Sequence, residues 1–384
     1  MFRKKFYMIS GLVCALVLTI SIASTPEVPD YYIQEKVPSP SLAANRLGPA
    51  DEQDVLVYLP PSYADSPEQR YPVIYLLHGF TGDHTYFTSV GGPNLFAQAM
   101  LGHDLGLDVG TMEEELVTSG EMNEAILVMP SALNAYGGNQ YGNSPLIGDY
   151  PAFIAEDLVS YIDSKYRTIA DRGARGIAGH SMGGYGALII AMRYPEVFGA
   201  VAVMSPSHIG VTPIEEPKEL GQPVVIKKAE DLWALAEPRQ FAINQLYAIA
   251  AAWTPNLKNP PYFVDLPTTP EIREVWEKHR LPYLLAEHGQ VLAGTPVLVT
   301  EGTGETVLMQ EMPHDLILNL VKMLQMQGIE VSYQGVDGDH LTGLPAMTAA
   351  SLKFLSAHLM SPIVGVDPLD KMAAVWGEVK SKSP

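Results

Sequence analysis

Apolar residues in this chain gather in short runs, several of them unbroken, separated by stretches of helical period. The runs predict strands over Asp54–Leu59, Val73–Leu77, Ala125–Met129, Gly176–Gly179, Ala200–Met204, Val297–Thr300 and Glu330–Gln334. Helical patterns lie between them at Ala152–Tyr166, Gly183–Arg193, His314–Gln327 and Thr348–Leu359. A strand that is apolar on both sides must be covered on both, as in a parallel sheet packed between helices. Strands alternating with helices therefore predict an α/β fold, with a mostly parallel central sheet and helices on both faces. The alternation stops between Ser207 and Gly294, where a proline-rich segment has helical pieces around Ala229–Leu235, Gln240–Ala252 and Glu271–Arg280. An insertion at this point would cap the carboxyl ends of the strands, where open α/β sheets bind ligands. Trp233, Trp253 and Trp276 lie in it, expected either to line an apolar acyl or aromatic substrate pocket or to form the insertion's own core.

The flanks are different in kind. Residues 1–23 combine Arg3, Lys4 and Lys5, an apolar run from Phe6 to Ala23, and the small residues Ser21 and Ala23, the pattern of an export signal. The run is also just long enough for an uncleaved membrane anchor. Residues 24–50 read as an extended lead-in, 51–360 as the α/β domain with its cap-like insertion at about 207–294, and 361–384 as a tail. The expected location is secreted or periplasmic, or membrane-anchored if the signal is retained. The single cysteine, Cys14, lies inside the signal, so the exported chain has no thiol for disulfides, nucleophilic chemistry or metal ligation. A formal net charge of −19 over 384 residues disfavours nucleic acid as a partner.

The chemistry is concentrated in Gly179-His180-Ser181-Met182-Gly183-Gly184-Tyr185, a serine set between an apolar strand and a helix. In such a G-x-S-x-G turn the glycines permit a bend too tight for a Cβ, and the serine is left on strained backbone at a helix N-terminus. A serine hydroxyl needs a base, and the base works better with a carboxylate to fix its tautomer. With the chain order serine, acid, histidine, the base is His340, in the loop after the last strand. The acid is sought in the loop after Val297–Thr300, where Glu305 stands just past a glycine turn and Glu301 abuts the strand end; Asp315 reads as an exposed residue of a helix's first turn. Two donors are expected for a developing oxyanion: the N–H of Met182 and, from the turn after Val73–Leu77, that of Phe80. His78 reads as a brace for that turn and His180 as packing. The sequence holds no H-E-x-x-H, no complete phosphate-binding loop and no dinucleotide fingerprint, so no metal or cofactor is expected.

Four blocks together resemble one family: Val57-Tyr58-Leu59-Pro60-Pro61-Ser62-Tyr63, Tyr71-Pro72-Val73-Ile74-Tyr75-Leu76-Leu77-His78-Gly79, Gly179-His180-Ser181-Met182-Gly183-Gly184, and Asp339-His340. They are similar to the Putative esterase (esterase D) family of α/β hydrolases. Its members include feruloyl and acetyl-xylan esterases, S-formylglutathione hydrolases, enterochelin esterases and the antigen 85 mycolyltransferases. The resemblance runs from about Asp51 to Leu359 and implies an α/β-hydrolase fold with Ser181 as nucleophile and His340 as base. Glu305 would stand where many members carry Asp in a G-x-x-D turn. The implied activity is hydrolysis of a small-molecule or polysaccharide-linked carboxylic ester through an acyl-enzyme. An acyltransferase of the antigen 85 type, passing the acyl group to a sugar or lipid hydroxyl, is the rival within enzymes. A non-catalytic binding protein on the same fold is the rival outside them, with an exopeptidase a further alternative.

Overall fold

The computed structural model describes residues 31–89, 105–210, 221–304, 306–307, 310–311 and 314–364. Eight strands form the central sheet: β1 (Tyr32–Pro38), β2 (Glu52–Tyr58), β3 (Val73–Leu77), β4 (Ile126–Pro130), β5 (Arg175–His180), β6 (Ala200–Met204), β7 (Val297–Gly302) and β8 (Val331–Val336). Their spatial order is β1-β2-β4-β3-β5-β6-β7-β8. β2 is antiparallel to both neighbours, and from β4 to β8 every pairing is parallel. The expected strands are all present, within about two residues of their expected ends.

Alternate side chains of the central strands enter two separate cores. Val73, Tyr75 and Leu77 of β3 pack on one face, Ile74 and Leu76 on the other. The first face is covered by helix over 150–165, by Met182–Arg193, and by helices of the insertion. The second is covered by Val109–Thr118 and Leu344–His358. All five residues of β3, β4 and β6 are buried, which explains why these strands are apolar on both sides.

The structure differs from expectation at the margins. The stretch read as a lead-in contributes β1, paired along its length with β2 from Tyr32↔Tyr58 to Pro38↔Glu52. At the other end Ile363 and Val364 pair with Arg70 and Gln69, tying the start of the expected tail to the domain. Residues 1–30 and the rest of the tail lie outside the described residues, as does Glu305. Among the described residues no helix is long and apolar enough to cross a membrane.

Candidate active site

At the end of β5 the chain reverses through Ser181 into the helix Met182–Arg193. Ser181 has φ 55° and ψ −113°, a conformation hostile to any residue with a Cβ. Its neighbours make that turn possible. A Cβ on Gly179 would lie 2.2 Å from the Gly183 carbonyl oxygen, and one on Gly183 would lie 2.0 Å from that of Leu77. The turn is pinned from outside: Ser181 N–H donates to Met204 O at 2.9 Å, and Ser207 N–H to Ser181 O at 3.0 Å. Met182 is the first helical residue, so its N–H has no intrahelical acceptor.

The loop after β3 lies directly against the turn. A Cβ built on Gly79 would be 3.5 Å from Ser181 Cβ. The loop's shape is held by Thr81 at φ 71°, whose N–H donates to Gly137 O at 2.7 Å. His78 is buried, and burial lowers its pKa to about 4. Ala132 N–H donates to Nε2 at 2.7 Å, so the neutral ring's proton sits on Nδ1, 2.7 Å from Gly79 O. His78 thus braces the loop. Phe80 packs edge-on against Phe241 of the insertion, ring centroids 5.2 Å apart.

The third approach is the loop after β8. Asp339 shapes it: Oδ1 accepts from the N–H groups of Leu341 and Thr342 and from the Thr342 hydroxyl. Burial opposes ionisation of Asp339, yet these bonds hold its carboxyl below the usual range. His340 is buried, and its ring centroid is 4.5 Å from that of His180. The β7 loop meets this one, Gly304 N–H donating to Gly338 O at 2.9 Å. Serine turn, Phe80 loop and His340 loop therefore converge at the carboxyl ends of β3, β5 and β8.

The profile of the Putative esterase family matches residues 48–343. The chain belongs to this family. Among its relatives are an endo-1,4-beta-xylanase/feruloyl esterase of Xylanibacter ruminicola, 29% identical over 43% of this chain and 21% of that one. An esterase of Mycobacterium tuberculosis is 34% identical over 41% of this chain and 28% of that one. Each of these alignments spans less than a third of the relative's own length. Among solved structures, a ferulic acid esterase superposes with a TM-score of 0.57 at 22% identity, over 85% of this chain and 97% of that one. An S-formylglutathione hydrolase from Agrobacterium tumefaciens gives 0.51 at 18% identity, over 86% and 95%. The fold is that of the α/β hydrolases.

Within this esterase-family site, one of the two candidate acids, Glu305, lies outside the described residues. Glu301 is buried at the end of β7, where Oε1 accepts from Tyr333 Oη at 2.6 Å and lies 2.6 Å from His314 Nδ1. Its Oε2 finds no partner among the described residues. Asp315 is exposed. The tryptophans separate: Trp253 and Trp276 are buried edge-to-face at 5.4 Å, and Trp276 Nε1–H donates to Thr254 Oγ1, while Trp233 is exposed. Trp253 also packs on His208 and His279. One residue that touches the site escaped the sequence reading: Tyr86, 2.8 Å from His180 Nδ1. Tyr86 lies 94 positions from its partner, and no local pattern connects them.

Proposed function

We propose that the chain is an exported serine carboxylesterase. The observation that carries the reading is Ser181, held on strained backbone at a helix N-terminus with the His340 loop bonded to the residue before it. Ser181 Oγ attacks the ester carbonyl carbon as His340 takes its proton, and the tetrahedral oxyanion sits between the N–H groups of Met182 and Phe80. Collapse expels the alcohol, which takes the proton from His340. Water, deprotonated by His340, then attacks the acyl-serine and releases the acid. Glu305 is the residue we assign to orient His340; the bond from Gly304 to the His340 loop supports this, as does the engagement of Glu301 by Tyr333 and His314.

The substrate class we assign is an ester of an aromatic acid. Two features support it: relatives named as feruloyl esterases, and the cluster of packed aromatic rings, Phe80, Phe241, Tyr136, Tyr247 and Tyr262, at the Phe80 loop. Export rests on the basic, then apolar, then small-residue pattern of residues 1–23. A fluorophosphonate probe should label the wild type and not Ser181→Ala; equal labelling of both would end the mechanism. A p-nitrophenyl ester panel from acetate to palmitate, run beside methyl ferulate, tests the acyl group. Turnover of palmitate with none of methyl ferulate would exclude the aromatic assignment.

A further inference from the structure

His180 is joined to Ser181 by a peptide bond, and its ring is buried between two loops. Nδ1 lies 2.8 Å from Tyr86 Oη, on the segment that continues from the Phe80 loop. Nε2 lies 2.9 Å from the main-chain oxygen of His340. The carbonyl partner dictates the proton positions. A carbonyl oxygen only accepts, so Nε2 carries hydrogen; Nδ1 of a neutral ring then only accepts, and Tyr86 O–H donates to it. Burial keeps this ring neutral, with the neighbouring His340 acting in the same direction, and burial raises the Tyr86 phenol well above its ordinary value, so Tyr86 keeps its proton. There is little room for another arrangement. A Cβ at Gly79 would stand 3.1 Å from Tyr86 Oη and 3.3 Å from His180 Nδ1.

We infer that His180 is a positioning residue: its Nε2–H holds the main chain of His340 at a fixed distance from Ser181, and Tyr86 O–H, donating to Nδ1, steadies the ring from its other side. The inference rests on the proposed roles of Ser181 and His340. No proton moves through His180. Its bond ties the strand that ends at the nucleophile to the loop that carries the base, so both are placed by one side chain. A displacement of about 1 Å between reacting groups can cost about a hundredfold in rate.

The test is a matched pair of substitutions, His180→Gln and His180→Asn, assayed with p-nitrophenyl acetate beside the wild type and Ser181→Ala. A glutamine amide reaches the place of Nε2 and keeps a donor for His340 O, whereas asparagine falls one methylene short. The expected result is a kcat within about threefold of wild type for His180→Gln and about thirtyfold lower for His180→Asn, with KM unchanged in both. Equal kcat in the two variants, or losses that track their melting temperatures, overturns the inference. Should neither variant fold, Tyr86→Phe replaces them: it removes the hydroxyl that steadies the His180 ring and should lower kcat about threefold at constant KM, and a wild-type kcat there overturns the inference too. If the wild type labels with fluorophosphonate and Ser181→Ala does not, a wild-type kcat in His180→Asn refutes the positioning role alone. An unlabelled wild type refutes the underlying mechanism as well.

Discussion

Ser181 is held at φ 55° and ψ −113°, where a residue with a side chain carries a strain on the order of 1–3 kcal/mol. Glycine relieves such strain and gives back part of the gain through the greater freedom of the unfolded chain. Ser181→Gly should therefore raise the melting temperature by about 2 °C while removing all esterase activity, and Ser181→Ala should lose activity with no thermal gain. A glycine variant that melts at or below the alanine variant would show that the turn stores no strain. The adjoining Gly183 behaves oppositely. Its added methyl would meet the backbone of Leu77 at 2.0 Å, and neither strand nor helix can yield without disturbing the sheet. Gly183→Ala should destabilise by roughly 3 kcal/mol, read as a shift of the urea midpoint.

At the scale of elements, the visibility of each strand depended on how uniform its burial is. β3, β4 and β6 were legible because each is buried on both faces and so is written in apolar residues alone. β1 was not legible, because one of its buried positions is a charge. Glu35 accepts from Tyr161 Oη at 2.7 Å and Lys165 Nζ at 2.6 Å on the facing helix, and from Tyr166 Oη at 2.5 Å just past its end. A polar network thus replaces the apolar alternation that marks a strand. Burial pushes the Glu35 carboxyl up, but the bonds from Lys165, Tyr166 and Tyr161 outweigh it and hold the group below its usual value. Its contribution to stability is accordingly present above about pH 4.5 and lost as pH falls through the lower folded value. Glu35→Leu should cost about 2 kcal/mol at pH 7, mostly from the stranded tyrosine hydroxyls, since the Lys165 head is half exposed and its charge is largely screened. No change in the urea midpoint would mean that β1 is held by its pairing with β2 alone. The site divides in the same way. Ser181 and the His340 loop announce themselves through local pattern, whereas the bond from Tyr86 to His180 exists only once two distant loops have been folded together.

For the whole molecule, 43 acidic residues against 24 basic ones make rising pH a general burden through self-repulsion, and one buried group adds to it specifically. Glu113 is fully buried between its helix and β2, where Tyr58 Oη donates to Oε2 at 2.9 Å and Ala125 N–H to Oε1 at 3.0 Å. Both bonds favour the charged form, but burial outweighs them, with help from Glu124 and Glu114, and pushes the pKa up to about 7. Because the folded value lies above the unfolded one, the folded protein binds the extra proton between roughly pH 4.5 and 7. Stability from this group is therefore complete below pH 4.5 and disappears as pH rises through 7, a loss of about 3 kcal/mol. Salt distinguishes the two contributions: surface repulsion is screened at high ionic strength, and the penalty at Glu113 is not. Glu113→Gln keeps an acceptor for Ala125 and a partner for Tyr58 without any charge to bury. In 0.5 M sodium chloride it should raise the melting temperature by several degrees at pH 8 and leave it unchanged at pH 4.5. A gain of equal size at both pH values would show that the benefit comes from packing and that Glu113 does not carry the pH dependence.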